Sequence, residues 1–140
     1  MGHITGLIAV VACTLFAGAA AYINLVEHPA RLSCGTEIAA TQWAPSYKRA
    51  AVMQASLAAL ATIAGIWRWL LTHGSLWLAG ALCIFLVIPF TLVVIRPTNS
   101  RLLEPDRDRG SAETRALLAT WGRLHGVRSA LSLLGSLLFV

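Results

Sequence analysis

Four long apolar runs dominate the pattern of hydrophobic and polar positions along this chain. They cover residues 4–26, about 50–71, 76–95 and about 116–140. Each is close to the roughly 20 residues that a helix needs to cross a bilayer. The runs are continuous and lack two-residue alternation, so they predict helices rather than the strands of a membrane barrel. We therefore predict an all-α, integral membrane four-helix bundle that forms one domain over residues 1–140, with helices at about 4–26, 47–71, 76–95 and 113–139.

Prolines and a serine mark the predicted helix ends. Pro29 should end the first helix, and Pro45 should precede the second. Pro89 lies inside the third helix and should kink it, because proline removes a backbone donor. Ser111 can cap the fourth helix, with Glu113 in its first turn. We find no internal repeat in the sequence.

Composition and charge placement indicate how the chain lies in its membrane. Only 12% of the residues are charged, against about 25% in soluble domains. Positive residues cluster between helices one and two and between helices three and four, which by the positive-inside rule makes both connections cytoplasmic and puts both termini on the other side. We expect a bacterial inner (cytoplasmic) membrane protein whose net charge of +5 contacts anionic lipid and does not bind nucleic acid.

One charged residue lies deep inside the last apolar run. Arg128 is followed by twelve residues, which places it roughly 18 Å from the helix end at 1.5 Å per residue. The hydrocarbon core is about 30 Å thick, so Arg128 falls near its middle. An unpaired charge at that depth costs roughly 2.5–3.5 kcal/mol on the most lenient insertion scale. Its expected partners are Glu27, Asn24, Tyr47, carbonyls freed at Pro89, or an anionic ligand.

Further polar side chains share helix faces with Arg128 or gather at the same membrane half. Assuming 100° per residue, His125 and Trp121 fall on the face of Arg128, and Tyr47 and Gln54 share a face of helix two. The full polar set is Asn24, Glu27, His28, Arg31, Tyr47, Gln54, Asn99, His125 and Arg128. These groups could simply hydrogen-bond the bundle together. Two histidines beside fixed cations also suit proton abstraction with stabilisation of the resulting anion.

The ordered residues resemble a known family. They are His28-Pro29-Ala30-Arg31, Trp43-x-Pro45-x-Tyr47-x-Arg49-Ala50, Gln54-Ala55, Pro89-Phe90-Thr91, Pro97-Thr98-Asn99-x-x-Leu102 and Leu117-Leu118-x-x-Trp121-x-x-Leu124-His125-x-x-Arg128-Ser129. From about Ile4 to Leu134 the chain is similar to the anthrone oxygenase-like family of small four-helix membrane proteins. The resemblance implies a monooxygenase-type oxidoreductase that uses dioxygen to convert the ring methylene of a hydrophobic aromatic, anthrone-type substrate to a quinone carbonyl.

The resemblance also implies roles for the polar set. His125 or His28 would be the base, and Arg128 and Arg31 would stabilise the developing oxyanion. The residues expected to orient the substrate or stack on it are Tyr47, Gln54, Asn99, Asn24, Trp121 and Trp43. No cofactor is predicted, because a deprotonated anthrone can itself reduce oxygen. A metal or haem held by His28 and His125 is an alternative that the two histidines leave open.

A different class of protein accounts for the same residues. The chain would then be a non-enzymatic membrane module that binds a small hydrophobic molecule, haem or a metal, or that docks a partner membrane protein. Lipid and a hydrophobic small molecule are the partners expected in either case. A homo-oligomer is compatible with both readings.

Overall fold

All regular structure in the part of the chain that the computed structural model describes, residues 2–140, is helical. The helices are α1 (Gly2–Tyr22), α2 (His28–Ser33), α3 (Thr36–Thr72), α4 (Ser75–Phe90), α5 (Arg96–Leu102) and α6 (Ala112–Leu138). A first π-helical segment, Ile23–Glu27, joins α1 to α2, and a second, Thr91–Ile95, joins α4 to α5. The chain therefore forms four helical rods: the α1 rod (α1, the first π segment and α2), α3, the α4 rod (α4, the second π segment and α5) and α6. This arrangement confirms the predicted all-α four-helix fold.

The four rods pack as a square. The α1 rod and the α4 rod each contact both α3 and α6, which puts α1 and α4 on opposite corners. The turn at His73, the start of α1 and the end of α6 lie at one end of the bundle, where Phe139 stacks on Trp77 with ring centroids 5.5 Å apart. The connection between α5 and α6 lies at the other end, where Arg115 donates a hydrogen bond of 2.9 Å to the Leu32 carbonyl. We call these the closed end and the polar end.

Three of the rods are long and apolar enough to cross a membrane: His3–Ser33, Thr36–Thr72 and Ser75–Leu102. The fourth, α6, has 27 residues and so reaches about 40 Å, but charged and polar residues lower its hydropathy. Its membrane crossing stays a prediction. At about 55 Å, the 37 residues of α3 exceed the roughly 30 Å hydrocarbon core, so part of this helix lies outside it.

The helical path continues past two prolines that the sequence places at helix ends. The α1 rod does not stop at Pro29, because the first π segment shifts the hydrogen-bond register before it: the His28 N–H bonds the Ile23 carbonyl. Likewise α3 begins at Thr36 rather than near residue 47 and contains Pro45 in its interior. Complete burial of Trp43 helps to stabilise this turn against the lost backbone bond. Pro89 lies one residue before the end of α4, just ahead of the second π segment.

Local chemistry sets the remaining helix ends. Ser111 caps α6 as predicted, with its hydroxyl accepting the Thr114 N–H at 3.1 Å. The turn between α3 and α4 has His73 in the left-handed region at φ 54°. Gly35 makes the turn between α2 and α3. Its backbone φ of 92° is one that residues other than glycine rarely adopt.

Candidate functional site

Asn24 ties the first π segment to three positions on α6. Its Oδ1 atom accepts hydrogen bonds from the Ser129 hydroxyl at 2.6 Å and from Nδ1 of His125 at 2.7 Å. Its Nδ2 atom donates to the Gly122 carbonyl at 2.9 Å. A carbonyl oxygen only accepts, so neutral His125 carries its proton on Nδ1 and a lone pair on Nε2. No partner for that Nε2 is found within residues 2–140.

His28 reaches α6 one turn nearer the polar end. Its Nε2 atom lies 2.9 Å from the Leu118 carbonyl and must donate to it. Nδ1 of the neutral ring then holds a lone pair, and this buried atom has no partner among the described residues. The imidazole sits so close to α6 that a Cβ atom on Gly122 would lie 2.7 Å from its Cδ2. A small residue at position 122 is therefore needed for His28 to fit.

Three aromatic rings, those of Trp121, Trp43 and Tyr47, connect the two histidines to α3. The Trp121 ring lies 5.1 Å from the His28 ring and 4.8 Å from the His125 ring, measured between centroids. Trp43 meets Trp121 edge-on at 5.6 Å and stacks on Tyr47 at 4.9 Å. Both imidazoles touch one indole, so they are well within the distance of about 15 Å that one small-ligand pocket can span.

Arg128 is buried without a carboxylate. Its Nη2 atom donates to Oε1 of Gln54 at 2.7 Å, and its guanidinium lies 5.5 Å from the centre of the Phe16 ring. Its Nε atom has no hydrogen-bond partner, and no acidic side chain pairs with it in residues 2–140. Of the expected partners, Glu27 is not in contact because it is engaged elsewhere. A neutral amide and an aromatic face leave most of this positive charge uncompensated.

Glu27 instead forms a separate cluster with Arg31. Its Oε1 atom accepts from Arg31, from Gln42 at 3.0 Å and from Ser46 at 2.8 Å. The predicted stabilising charge of Arg31 is thus neutralised by an acid one helical turn earlier. Arg31 and His125 both line a small internal cavity, which is described next.

Two adjoining cavities meet at Arg128. The inner cavity, about 20 Å³, has room for roughly one water molecule. The lateral cavity is about 220 Å³, smaller than the roughly 300–1,000 Å³ of drug-binding pockets. The inner cavity is lined by Ile23, Arg31, Ser46, Tyr47, Ala50, Ala51, Gln54, Trp121, His125 and Arg128. The lateral cavity is lined by Phe16, Tyr47, Ala51, Gln54, Ala55, Ala58, Val87, Ile88, Thr91, Leu92 and Arg128.

The fold brings most of the expected site residues to these cavities, but in different roles. Asn99 lies behind Tyr47, where its Nδ2 donates to the tyrosine oxygen at 3.1 Å. His28, Trp43 and Asn24 also lie behind the cavity walls, in contact with residues that line them. No group of three or more His, Cys, Asp or Glu with metal-binding geometry occurs in the described residues.

Several residues of the site were not expected from the sequence. Ser129 lies one turn beyond His125, and that spacing could have identified it. Gln42 and Ser46 both contact Glu27 and precede the helix start that the sequence predicts. Phe16 looks like any other apolar residue of α1, and nothing in the sequence distinguishes it.

Two comparisons with known proteins found matches to the same family. The family model described as anthrone oxygenase matches residues 43–138. A curated relative, the anthrone oxygenase tpcL of Aspergillus fumigatus, is 42% identical over 55 residues, which cover 37% of this chain and 34% of that protein. The matched segment thus spans about a third of that relative's length. No solved structure matches the chain.

Proposed function

We propose that this chain, which belongs to the anthrone oxygenase family, is a membrane oxygenase that oxidises a hydrophobic anthrone-type substrate with dioxygen. One observation carries the proposal: the buried Arg128 cation has no acid partner and borders the same cavity as His125. The pair provides a base next to a place for an anion. That combination is what the oxidation of an acidic ring methylene requires.

The reaction would begin with a proton transfer to His125. Its Nε2 lone pair takes one proton from the ring methylene, while Asn24 holds the opposite side of the imidazole. The negative charge moves to the ring oxygen, where Arg128 donates a charge-assisted hydrogen bond. The Tyr47 hydroxyl accepts from Asn99, so its own hydrogen remains available for the same oxygen.

The substrate itself supplies the electrons. The carbanion passes them to dioxygen and a carbon–oxygen bond forms, which gives a peroxide anion. His125 returns its proton to that anion, and the resulting hydroperoxide loses water to give the carbonyl. The methylene carbon has then lost two hydrogens and gained one oxygen atom, and the second oxygen atom leaves as water. The stoichiometry is one dioxygen consumed and one water formed for each quinone.

The test is turnover by the purified chain in detergent. A hydroxylated anthrone in air-saturated buffer should form the anthraquinone, detected by absorbance, with one dioxygen consumed per product. Arg128→Met should lose about 10²–10³-fold in kcat, whereas Arg123→Met, which changes an exposed arginine of the same helix, should match the wild type. A wild-type rate equal to spontaneous oxidation contradicts the proposal, and binding without turnover would favour the non-enzymatic module.

The proposal includes an orientation in a bacterial inner membrane, with the polar end in the cytoplasm. Cysteines introduced at the exposed Asp106 and Ser75, in a chain whose three native cysteines are replaced by alanine, should be labelled from opposite sides. Thr98, on α5 at the same end as Asp106, is buried, so a cysteine there would not be accessible to the label. Labelling of both positions from one side would contradict the orientation.

A further inference from the structure

We propose that the lateral cavity is the entrance through which the substrate reaches His125 and Arg128 directly from the lipid, and that three alanines of α3 set its width. This inference rests on the proposed function. It adds a route, a direction of entry and a set of residues that select the substrate by size.

The residues that line the cavity are buried at one end and exposed at the other. At its inner end Gln54 is 1% exposed and holds Arg128. In its middle Ala58 is 1% exposed and Val87 is 2% exposed. At its outer end Leu92 is 59% exposed and Ala55 is exposed as well. The cavity therefore runs from the buried cation to the outer surface of the bundle.

The mouth of the cavity lies on a surface that lipid should cover. The residues that follow two of its lining residues are exposed and apolar: Val52, 71% exposed, follows Ala51 on α3, and Val93, 73% exposed, follows Leu92 on the second π segment. Exposed apolar residues on helices long enough to span are suited to contact with acyl chains. A molecule entering here would come from the membrane and not from water.

The walls favour an apolar, flat occupant. Ala51, Ala55 and Ala58 follow one another on one face of α3, and their small side chains leave the space that larger residues would fill. Opposite them, the Thr91 hydroxyl donates to the Val87 carbonyl at 2.7 Å. Since that hydroxyl proton is engaged with the backbone, this wall offers little polarity to a ligand.

The polar groups at the inner end determine which way the substrate points. Arg128, Gln54 and Tyr47 border both cavities and His125 borders the inner one, so the oxygen and the methylene of the substrate's central ring would both reach this end, and an apolar outer ring would trail toward lipid. The substrate class is thus a membrane-dissolved, fused-ring aromatic with its acidic oxygen on one edge. A charged group on the trailing edge would be excluded, because it would have to remain in hydrocarbon.

The test compares two alanines of α3 in lipid vesicles. Ala55→Phe narrows the mouth, whereas Ala59→Phe adds the same ring at an exposed position that lines neither site cavity. Since a one-group misfit in an apolar pocket is worth about 10–200-fold, Ala55→Phe should lower kcat/KM for a tricyclic anthrone by about tenfold or more. Ala59→Phe should match the wild type. Both positions face outward, so both variants should fold, which their melting in detergent would verify.

A second measurement tests the source of the substrate. An anthrone tethered through its trailing ring to a lipid acyl chain, which cannot leave the membrane, should be turned over by the wild type, whereas an anthrone sulfonated on its trailing ring should react only at the spontaneous rate. Enzymatic turnover of the sulfonated anthrone but not of the tethered one, or an Ala55→Phe variant as active as wild type, would overturn the entrance and leave the proposed function standing.

If the wild type itself shows no turnover, the proposed function fails and the entrance is tested by binding. In chains whose Trp67, Trp69 and Trp77 are replaced by phenylalanine, anthraquinone added to the same vesicles should quench the fluorescence of Trp43 and Trp121, which lie beside the inner cavity. Weaker quenching in Ala55→Phe than in Ala59→Phe supports the entrance. Equal quenching in the two variants overturns it.

Discussion

The two ends of the bundle differ in the polarity of their packed interiors. At the closed end, helices approach through glycines so tightly that a Cβ atom on Gly80 would lie 2.7 Å from the Phe139 ring, and one buried atom there, Nε of Arg68, has no hydrogen-bond partner among the described residues. From the middle of the bundle to the polar end such atoms accumulate: Nδ1 of His28, Nε of Arg31, Nε1 of Trp43, Nε2 of Gln54, Oδ1 of Asn99 and Nε of Arg128. Each such atom costs about 1–3 kcal/mol. We infer that close packing at one end stabilises a site that would otherwise be unfavourable at the other.

The two kinds of packing should respond differently to substitution. Changes to the buried polar side chains of the site should mainly alter activity, because these groups contribute little net stability. Changes at the closely packed glycines should mainly alter stability.

The largest effect is expected at His125. Asparagine there keeps an N–H near the position of Nδ1 for Asn24 but removes the basic Nε2. His125→Asn should therefore fold and lose about 10²–10⁴-fold in kcat, the range for loss of a general base. His73→Asn is the matched control, since asparagine tolerates the left-handed turn conformation at that position. Wild-type turnover by His125→Asn would contradict its role as base.

Arg128 and Gln54 should separate activity from stability. Arg128→Met should lose about 10²–10³-fold in kcat, as expected for one oxyanion donor. The variant should lower the melting temperature only slightly, because its one unpaired group is the neutral Gln54 oxygen that Arg128 bonded. No buried carboxylate loses its partner. Adding Gln54→Leu should then raise the melting temperature above that of Arg128→Met, since replacing both partners removes the unsatisfied group. A large stability loss in the double variant would show that Arg128 is structural.

At the closed end, Gly80→Ala should destabilise the protein by about 1–3 kcal/mol, the usual range for overpacking. The added methyl group would meet the Phe139 ring and, at 3.1 Å, the Gly135 carbonyl oxygen, which is backbone and cannot move aside. Gly18→Ala is the control, because nothing lies within 4 Å of a Cβ there, and it should be neutral or stabilising by about 0.5–1 kcal/mol. Thermal unfolding in detergent measures both. Equal melting temperatures would contradict the tight packing.

The smallest effect is expected from the glycine pair on α6. Gly122→Ala should displace His28 and weaken its bond to the Leu118 carbonyl, which costs about 1 kcal/mol. At Gly126 the nearest atom to an added Cβ is Nδ2 of Asn24, 3.9 Å away, so Gly126→Ala should melt like the wild type. If both variants melt alike, the close approach of His28 to α6 is not a source of stability.

The sequence was sufficient for the fold class because four apolar runs of membrane-spanning length leave few alternatives to a helical bundle. It was less informative about helix ends. The π segments arise from a hydrogen-bond shift that no residue pattern announces, and packing of Trp43 extends α3 past Pro45. Both departures are tertiary effects that local proline rules do not include.

The hydrogen-bond and ion-pair partners within the site also depend on tertiary packing. Gln54 and Arg128 were each placed on an inward face by helical periodicity, but their pairing depends on how two helices are aligned along their axes. Glu27 was a candidate partner for Arg128, although its i, i+4 spacing to Arg31 was visible in the sequence and favours the pair that forms. Periodicity identifies the face, and the packing of the helices determines the contact.

The two π segments give the two halves of the chain the same backbone pattern, although their side chains differ. Each segment is followed by one residue and then by a proline, Pro29 or Pro97. The second residue of the first segment is Asn24, which holds His125, and the second residue of the other is Leu92, at the mouth of the lateral cavity. In the proposed function, one copy of the same turn positions the base while its counterpart borders the substrate entrance. Substitutions around the second copy should therefore change which substrate is accepted without changing the reaction.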